Sequence, residues 1–209
     1  PKGLVSDDVR RIVLDDTRPK RPCPLPAAHP LDCYFDLEGD PLLGGKRGIE
    51  YLWGIAHREN GTLAFDAAWA HDSVAEREAC KCFVEAVEER FEASEGKAHA
   101  YHYGAYERAA LRRVSAGDAV LERKLEALGA RGAFVDLYSV VKRVLLVGEP
   151  RYSLKNVEKL YRGTRNNTEV NDAVGSVVGY ELWLSQRDPE LLEELVKYNR
   201  DDCESTCEL

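Results

Sequence analysis

The chain has 209 residues, of which 44% are hydrophobic and 32% are charged, and its formal net charge is −8 at pH 7. This apolar content is enough for one sizeable domain or two small ones. The acidic balance argues against a protein that holds nucleic acid by bulk charge alone, although a local basic groove can coexist with it. We expect no membrane span, because no apolar run approaches the roughly 18 residues that a span requires.

The cysteines are typical of reduced thiols rather than of a metal site. There are six of them, and none forms the C-x2-C spacing of a zinc ligand pair. We therefore expect partly buried, reduced thiols in a cytoplasmic protein. Since the chain begins at Pro1 and contains no methionine, we expect it to be a domain of a longer protein.

Residues 1–31 are predicted to form an approach segment or linker ahead of a domain over residues 32–209. Prolines disfavour regular structure in its second half, because proline lacks a backbone N–H. They are Pro19, Pro22, Pro24, Pro26 and Pro30. A basic cluster of Arg18, Lys20 and Arg21 lies among them. A solvated linker is the favoured interpretation, and a nucleic-acid contact is the alternative.

The rest of the chain alternates strand and helix patterns. The run LDCYFDLEG (31–39) predicts the first strand. Two further strands, 49–58 and 62–70, are joined by Glu59-Asn60-Gly61, a composition typical of a hairpin turn. The elements predicted after them are a helix beginning at its N-cap Ser73, a strand over 97–104, helices over 105–114 and 119–130, a strand that turns helical within 132–146, and helices over 152–161, 174–184 and 189–209. This order predicts an α/β fold with a mixed sheet flanked by helices.

Two carboxylates lie at the end of the first strand. Side chains alternate between the faces of a strand, so Asp36 and Glu38 share one face and Leu37 points to the other. Like charges on one face repel unless a cation lies between them, and Mg²⁺ prefers carboxylate oxygens. The pair is therefore a candidate metal site, and a solvent-exposed pair is the alternative. We expect Asp40, which precedes Pro41, to turn the chain away.

Two later segments carry further candidates. Tyr198 and Asp202 are four residues apart on the last predicted helix, so they share a face. Glu107 opens the helix after the strand over 97–104, where the helix dipole favours a carboxylate and capping is an alternative role. Asp136 ends one strand and begins a helix, and we expect it to act as an N-cap.

The order of these motifs resembles the DEDD exonuclease superfamily: a D-x-E strand, an aromatic–acid pair at a loop-to-helix junction, and Y-x3-D on a late helix. The tyrosine of the third motif matches the tyrosine subclass. The overall pattern is most similar to the predicted RNase H-like domain of bacterial RecB-family nuclease and helicase fusion proteins. It is carried by the stretches YFDLEGDP, EYLWG, AYHYGAYERAAL, FVDLY, YSLK and YNRDDCEST. The resemblance covers about Leu31 to Leu209 and implies an RNase H-like (DnaQ-like) fold.

The resemblance also implies four carboxylate ligands for two Mg²⁺ or Mn²⁺ ions. They are Asp36, Glu38, Glu107 and Asp202. Tyr198 would supply the hydroxyl that helps to orient the attacking water. The second motif departs from the superfamily, because His102 stands where asparagine is usual and Glu107 stands where aspartate is usual. The longer glutamate can reach a cation by a different rotamer.

The implied activity is metal-dependent 3′–5′ exonuclease hydrolysis of DNA or RNA, acting on a single-stranded end. Candidate nucleic-acid contacts, through base stacking or charge, are His102, Tyr103, Tyr106, Arg108 and Lys155. The first alternative is a catalytically weak or inactive module that positions nucleic acid or a partner for an attached RecB-like nuclease or helicase domain. The second is a structure-specific endonuclease using the same metals.

Overall fold

The computed structural model describes residues 12–14, 25–43, 45, 47–162, 170 and 172–209. Most of the predicted approach segment therefore lies outside the described residues, together with its basic cluster and the possible nucleic-acid contact there. Residues 25–29 have no regular secondary structure.

Strands of the described residues form one five-stranded sheet and one two-stranded ribbon. In chain order they are β1 (Ile12–Leu14), β2 (Cys33–Asp40), β3 (Ile49–Glu59), β4 (Thr62–Trp69), β5 (Ala100–His102), β6 (Phe134–Asp136) and β7 (Leu145–Val147). The large sheet has the order β4-β3-β2-β5-β6, and β1 pairs with β7. The central strand β2 runs antiparallel to β3 and parallel to β5, so the sheet is mixed, as predicted.

Helices cover the sheet. In chain order the helices of the described residues are α1 (Ser73–Ala93), α2 (Tyr106–Ser115), α3 (Ala119–Ala130), α4 (Leu137–Val144), α5 (Leu154–Val157), α6 (Ala173–Gln186) and α7 (Pro189–Glu208). A 3-10 turn over Glu158–Leu160 follows α5. The predicted α/β class is confirmed.

The first hydrophobic core lies between the sheet and helices α1 to α3. Alternation along β2 directs Cys33, Phe35 and Leu37 into this core. Phe83 of α1 contacts Phe35, with their ring centroids 4.6 Å apart. Because the odd-numbered residues of β2 are used in this way, the even-numbered ones face the other side of the sheet.

The second core lies on that other side, against α6 and α7. Tyr51 of β3 stacks on Tyr180 of α6, with ring centroids 3.9 Å apart and planes within 5° of each other. Leu195 and Tyr198 of α7 belong to the same cluster. This core places the last helix across the middle of β2 and β3.

The hairpin prediction is confirmed and one capping prediction is wrong. Asn60 and Gly61 have φ values of 50° and 85°, the left-handed pair that a tight hairpin turn requires. The N-cap of α1 is Asp72 rather than Ser73, and its carboxylate accepts from the N–H groups of Val74 and Ala75. Aspartate and serine are both good N-cap residues, and here the helix begins after Asp72, one position before the predicted cap.

Two predicted helices are shorter than expected. Helix α4 ends at Val144, and Leu145–Val147 pairs antiparallel with Ile12–Leu14 instead of continuing the helix. The partner strand is distant in sequence, so this pairing overrides local helix preference. The helix predicted over 152–161 consists of α5 and the following 3-10 turn. Asp136 caps α4 as predicted, accepting from the N–H groups of Tyr138 and Ser139.

Candidate metal centre

The end of β2 presents two carboxylates to one face of the sheet. Asp36 and Glu38 point toward α7, and Leu37 between them is buried in the first core. A bulge follows at once, since the register with β3 shifts between Glu38 and Gly39. Asp40 then turns the chain as predicted, with its Oδ1 accepting from the Leu42 N–H at 2.8 Å.

Helix α7 adds a third carboxylate from the opposite end of the chain. Oxygens of Asp36, Glu38 and Asp202 lie within 4.8 Å of one another. Glu38 is 6% exposed and Asp202 is 7% exposed. Asp36 is partly buried. Three carboxylates this close repel when all are ionised, and either protonation or a bound divalent cation relieves the repulsion.

Burial and repulsion between the carboxylates both raise the pKa values of Asp36 and Glu38. Burial raises the pKa of Asp36 well above its usual range, and the charges of Asp202 and Glu38 raise it further. Burial and the charge of Asp202 raise the pKa of Glu38 to about 8. A hydrogen bond with Ser176 and the positive charge of Lys155 act on Glu38 in the opposite direction.

Glu107 lies beside the group of three. It is 4% exposed at the start of α2, and its charge also raises the pKa of Asp36. Its Oε2 is buried without a hydrogen-bond partner among the described residues and lies 3.5 Å from Nδ1 of His102. The structure thus brings three of the four predicted ligands together. The fourth, Glu107, is close enough for its charge to raise the pKa of Asp36, and its Oε2 lacks a hydrogen-bond partner among the described residues.

Tyr198 and Lys155 form a pair at the same site. The Lys155 ammonium donates to Oη of Tyr198 at 2.6 Å and lies 4.1 Å from the centroid of its ring. Tyr198 is 5% exposed and shares a face of α7 with Asp202. The positive charge of Lys155 also lowers the pKa of Glu38. Lys155 therefore interacts electrostatically with the cluster of Asp36, Glu38 and Asp202.

All these groups line one large cleft, of about 1060 Å³. Its lining includes Asp36, Glu38, Glu107, Tyr198 and Asp202. Aromatic and apolar side chains also line it, among them Tyr103, Tyr106, Tyr138, Leu42 and Val174. The cleft therefore combines an acidic floor with aromatic and apolar side chains. Rings of this kind can stack on bases, whereas the floor would accept a phosphate only with cations bound to its carboxylates.

The predicted nucleic-acid residues divide into two groups. Tyr103, Tyr106 and Lys155 line the cleft; Oη of Tyr106 donates to the buried Glu50, and half of its side chain stays exposed. His102 is 2% exposed and faces Glu107, which leaves little ring surface for a ligand. The Arg108 guanidinium lies over the Phe134 ring, 4.2 Å from its centroid, away from the described cleft lining.

Two polar residues at the site were missed by sequence reasoning. Asn199 donates to Asp36, and Ser176, which shares a hydrogen bond with Tyr51, lowers the pKa of Glu38. Both are fully buried. Asn199 follows directly after Tyr198 in the third motif, which was the available signal, whereas nothing in the sequence around Ser176 indicates its neighbour on β2.

Comparison with protein families decides the affiliation. A model of the RNase H superfamily matches residues 33–209, most of the chain. The chain belongs to the RNase H superfamily. This match confirms the RNase H-like fold that the motifs implied, and RNase H superfamily domains are generally nucleases that use divalent metals. No curated protein and no solved structure matches the chain significantly.

An RNase H superfamily domain implies nucleic-acid binding. Separately, Asp36, Glu38 and Asp202 offer carboxylate oxygens as possible metal ligands. Hard divalent cations prefer such oxygens.

Within the described part of the chain, no helix is long and apolar enough to cross a membrane.

Proposed function

We propose that this domain is a metal-dependent 3′–5′ exonuclease of the tyrosine subclass of DEDD nucleases. The observation that carries the proposal is the meeting of Asp36, Glu38 and Asp202 within 4.8 Å, at the floor of a cleft with aromatic walls. The four-ligand set adds Glu107, and the DEDD order of the motifs supplies the subclass. Single-stranded DNA or RNA ends are the proposed substrates.

The residues fit a pair of Mg²⁺ or Mn²⁺ ions. The donors are carboxylate oxygens, and Oε2 of Glu107, which has no hydrogen-bond partner among the described residues, keeps its lone pairs for a ligand bond. Asp36, Glu38 and Asp202 would hold the ions, with Glu107 completing the set. When bound, two such ions supply an activated water and neutralise charge on the phosphate being cleaved.

The remaining chemistry belongs to the chain's own side chains. Tyr198 orients the attacking water through its hydroxyl, and Lys155 fixes that hydroxyl by donating to it at 2.6 Å. Lys155 also adds positive charge to an acidic floor that a phosphate must approach. Tyr103 and Tyr106 offer ring faces to the terminal bases, because a base stacks on an aromatic ring without regard to its sequence.

The test is nuclease activity with matched variants. The wild-type domain with Mn²⁺ or Mg²⁺ should shorten end-labelled single-stranded DNA or RNA from the 3′ end and release mononucleotides. Asp36→Asn should lower the rate by about 100-fold or more, because it removes a ligand charge while nearly preserving the shape of the side chain. Asp201→Asn, on the neighbouring and partly exposed acid of α7, should retain wild-type activity.

Several outcomes would contradict the proposal. Activity that survives Asp36→Asn unchanged would come from a contaminant. Cleavage of circular single strands would point to an endonuclease. If the wild-type domain binds Mn²⁺ in calorimetry but degrades no substrate, the proposed metal site stands and the proposed nuclease activity is wrong.

One observation favours a second candidate, the catalytically weak module. Glu107 lies outside the group of three, and its Oε2 faces His102 instead. If this pairing persists with metal, the second ion is poorly held and the domain positions nucleic acid for a neighbour. Calorimetric stoichiometry separates the two functions, because the exonuclease requires two Mn²⁺ per chain and the weak module requires fewer.

We also propose that residues 32–209 act within a longer polypeptide, next to a RecB-like nuclease or helicase domain. The family match begins at residue 33, which supports the domain boundary placed at residue 32. The motif resemblance supports the neighbouring domain. The segment 1–31 is not a free linker throughout, because Ile12–Leu14 within it pairs with Leu145–Val147 of the domain.

A further inference from the structure

Asn199 lies fully buried between α7 and the central strands. Its Nδ2 donates to the main-chain oxygen of Asp36 at 3.1 Å and to the carboxylate Oδ2 of Asp36 at 2.9 Å. The main-chain oxygen of Asp36 can only accept, so it fixes which end of the amide faces Asp36. One side chain thus holds both the backbone and the carboxylate of a single residue.

Gly54 makes room for this amide. It lies directly opposite Asp36 in the pairing of β2 with β3. A Cβ atom at residue 54 would lie 1.7 Å from Oδ1 of Asn199, far inside any contact distance. Gly54 is not among the glycines with positive φ, so close approach rather than backbone conformation requires glycine there.

The amide oxygen also has a place in this arrangement. Oδ1 of Asn199 is buried and has no conventional hydrogen-bond donor among the described residues. It faces the position of the missing Cβ, where glycine carries a second Cα hydrogen. A Cα–H···O contact is weak, so the two bonds to Asp36 determine the orientation of the amide.

The consequence concerns the freedom of the Asp36 carboxylate. Without a fixed donor, a carboxylate repelled by Glu38 and Asp202 would rotate away from them. The Asn199 amide holds Oδ2 of Asp36, which leaves Oδ1 and further lone pairs for a cation. Groups that orient a metal ligand in this way typically change metal affinity or activity by about 10–100-fold when they are removed.

We propose that Asn199, seated over Gly54, is a positioning residue that holds the Asp36 carboxylate ready for metal. The proposal rests on the proposed function, since it assigns Asn199 to the same metal site. Asn199 itself touches neither metal nor substrate. Its effect passes entirely through Asp36.

The experiment compares Mn²⁺ affinity among variants of the full 209-residue chain. Calorimetry should show Asn199→Ala binding Mn²⁺ about 10–100-fold more weakly than wild type. Gly54→Ala should give the same loss, because its methyl displaces the amide while Asn199 is still present. Raising Mn²⁺ should restore most of the nuclease rate of both variants, since every ligand is retained.

Ser205→Ala is the matched control for helix stability. Ser205 is buried on α7 and forms hydrogen bonds with Glu158 and Tyr161, none of which is among the residues lining the cleft. It should lower the melting temperature yet leave the Mn²⁺ dissociation constant unchanged. A merely structural Asn199 would behave like Ser205.

The outcomes distinguish this inference from the proposed function. If Asn199→Ala and Gly54→Ala fold and bind Mn²⁺ as tightly as wild type, the positioning role is overturned and the nuclease proposal stands. If the wild type does not bind Mn²⁺, or if Asp36→Asn binds Mn²⁺ as tightly as the wild type, both the positioning role and the nuclease proposal are overturned. If Asn199→Ala does not fold, the Gly54→Ala measurement alone decides between the two roles.

Discussion

Glu38 is a residue whose charge opposes folding while the site holds no metal. Burial, followed by the charge of Asp202, raises its pKa from 4.5 to about 8. A carboxyl with a raised folded pKa binds more protons in the folded state than in the unfolded state. Stability therefore falls as pH rises between the two pKa values, here from about 4.5 to about 8.

This sign gives a prediction for Glu38→Gln in metal-free protein. The neutral amide cannot ionise, so at pH 8 the variant should exceed wild type in free energy of unfolding by on the order of 1–3 kcal/mol. The advantage should shrink toward pH 5, where the wild-type carboxyl is protonated. Chemical denaturation in EDTA at several pH values measures it, with the exposed Glu193→Gln as control. Parallel wild-type and variant curves over this range would contradict the assigned cause.

The residues of the centre were predictable to the extent that periodicity alone places them. Alternation along a strand was enough to set Asp36 and Glu38 on one face, and helical spacing was enough to pair Tyr198 with Asp202. Asn199 was not predictable, because its role depends on the missing side chain of Gly54 across the sheet. Such a fit between distant backbones leaves no local pattern.

At the scale of elements, the bulge after Glu38 brings β2 against a buried ionic network. Glu50 of β3 is 1% exposed and accepts from Arg113 at 2.6 Å and from Oη of Tyr106 at 2.9 Å. Gly39 lies against this network, where a Cβ would be 2.1 Å from Oε2 of Glu50. The network ties the start of α2, which carries Glu107, to the central strands.

Gly39→Ala should therefore break the contacts of Glu50. The methyl must push a buried carboxylate from its partners, and we expect a loss of about 1–3 kcal/mol in the free energy of unfolding. Gly148→Ala is the control, because nothing lies within 4 Å of its Cβ position. Urea denaturation of both variants gives the comparison. Equal stability of Gly39→Ala and wild type would show that Glu50 can move aside without a loss of folding free energy.

The elements themselves were largely predictable where a local signal exists. Asn60-Gly61 specified the hairpin through its left-handed conformations, and Asp136 specified the start of α4 through its cap. The pairing of Leu145–Val147 with Ile12–Leu14 was missed, since no local pattern reports a partner more than a hundred residues away. The N-cap of α1 was misplaced by one residue because Asp72 and Ser73 are both good caps.

For the whole molecule, the second core holds the residues of the candidate metal centre together. Asp202 reaches Asp36 only because α7 packs on the sheet through residues such as Leu195, which is fully buried. Two hydrophobic layers on either side of one sheet thus perform different tasks. The layer of α1 to α3 supports β2 from behind, and the layer of α6 and α7 closes the site.

Leu195→Ala should destabilise the domain by about 2–5 kcal/mol, through lost transfer free energy and a residual cavity. Val178→Ala on α6 removes carbon from a side chain that is 48% exposed, so its effect should stay within about 0.5 kcal/mol. Thermal or urea unfolding compares them. A cost below 1 kcal/mol for Leu195→Ala would mean that α7 is not held by this core.

The distance in sequence between Asn199 and Asp36, 163 positions, has a consequence for synthesis. A ribosome releases β2 early and α7 much later, so a partly made chain presents two carboxylates without the third and without the amide. Such a nascent chain cannot yet assemble the group of three carboxylates, because Asp202 is still missing. Likewise, a chain that lacks α7 would lose Asp202 and Asn199 together while it keeps Asp36 and Glu38 of β2.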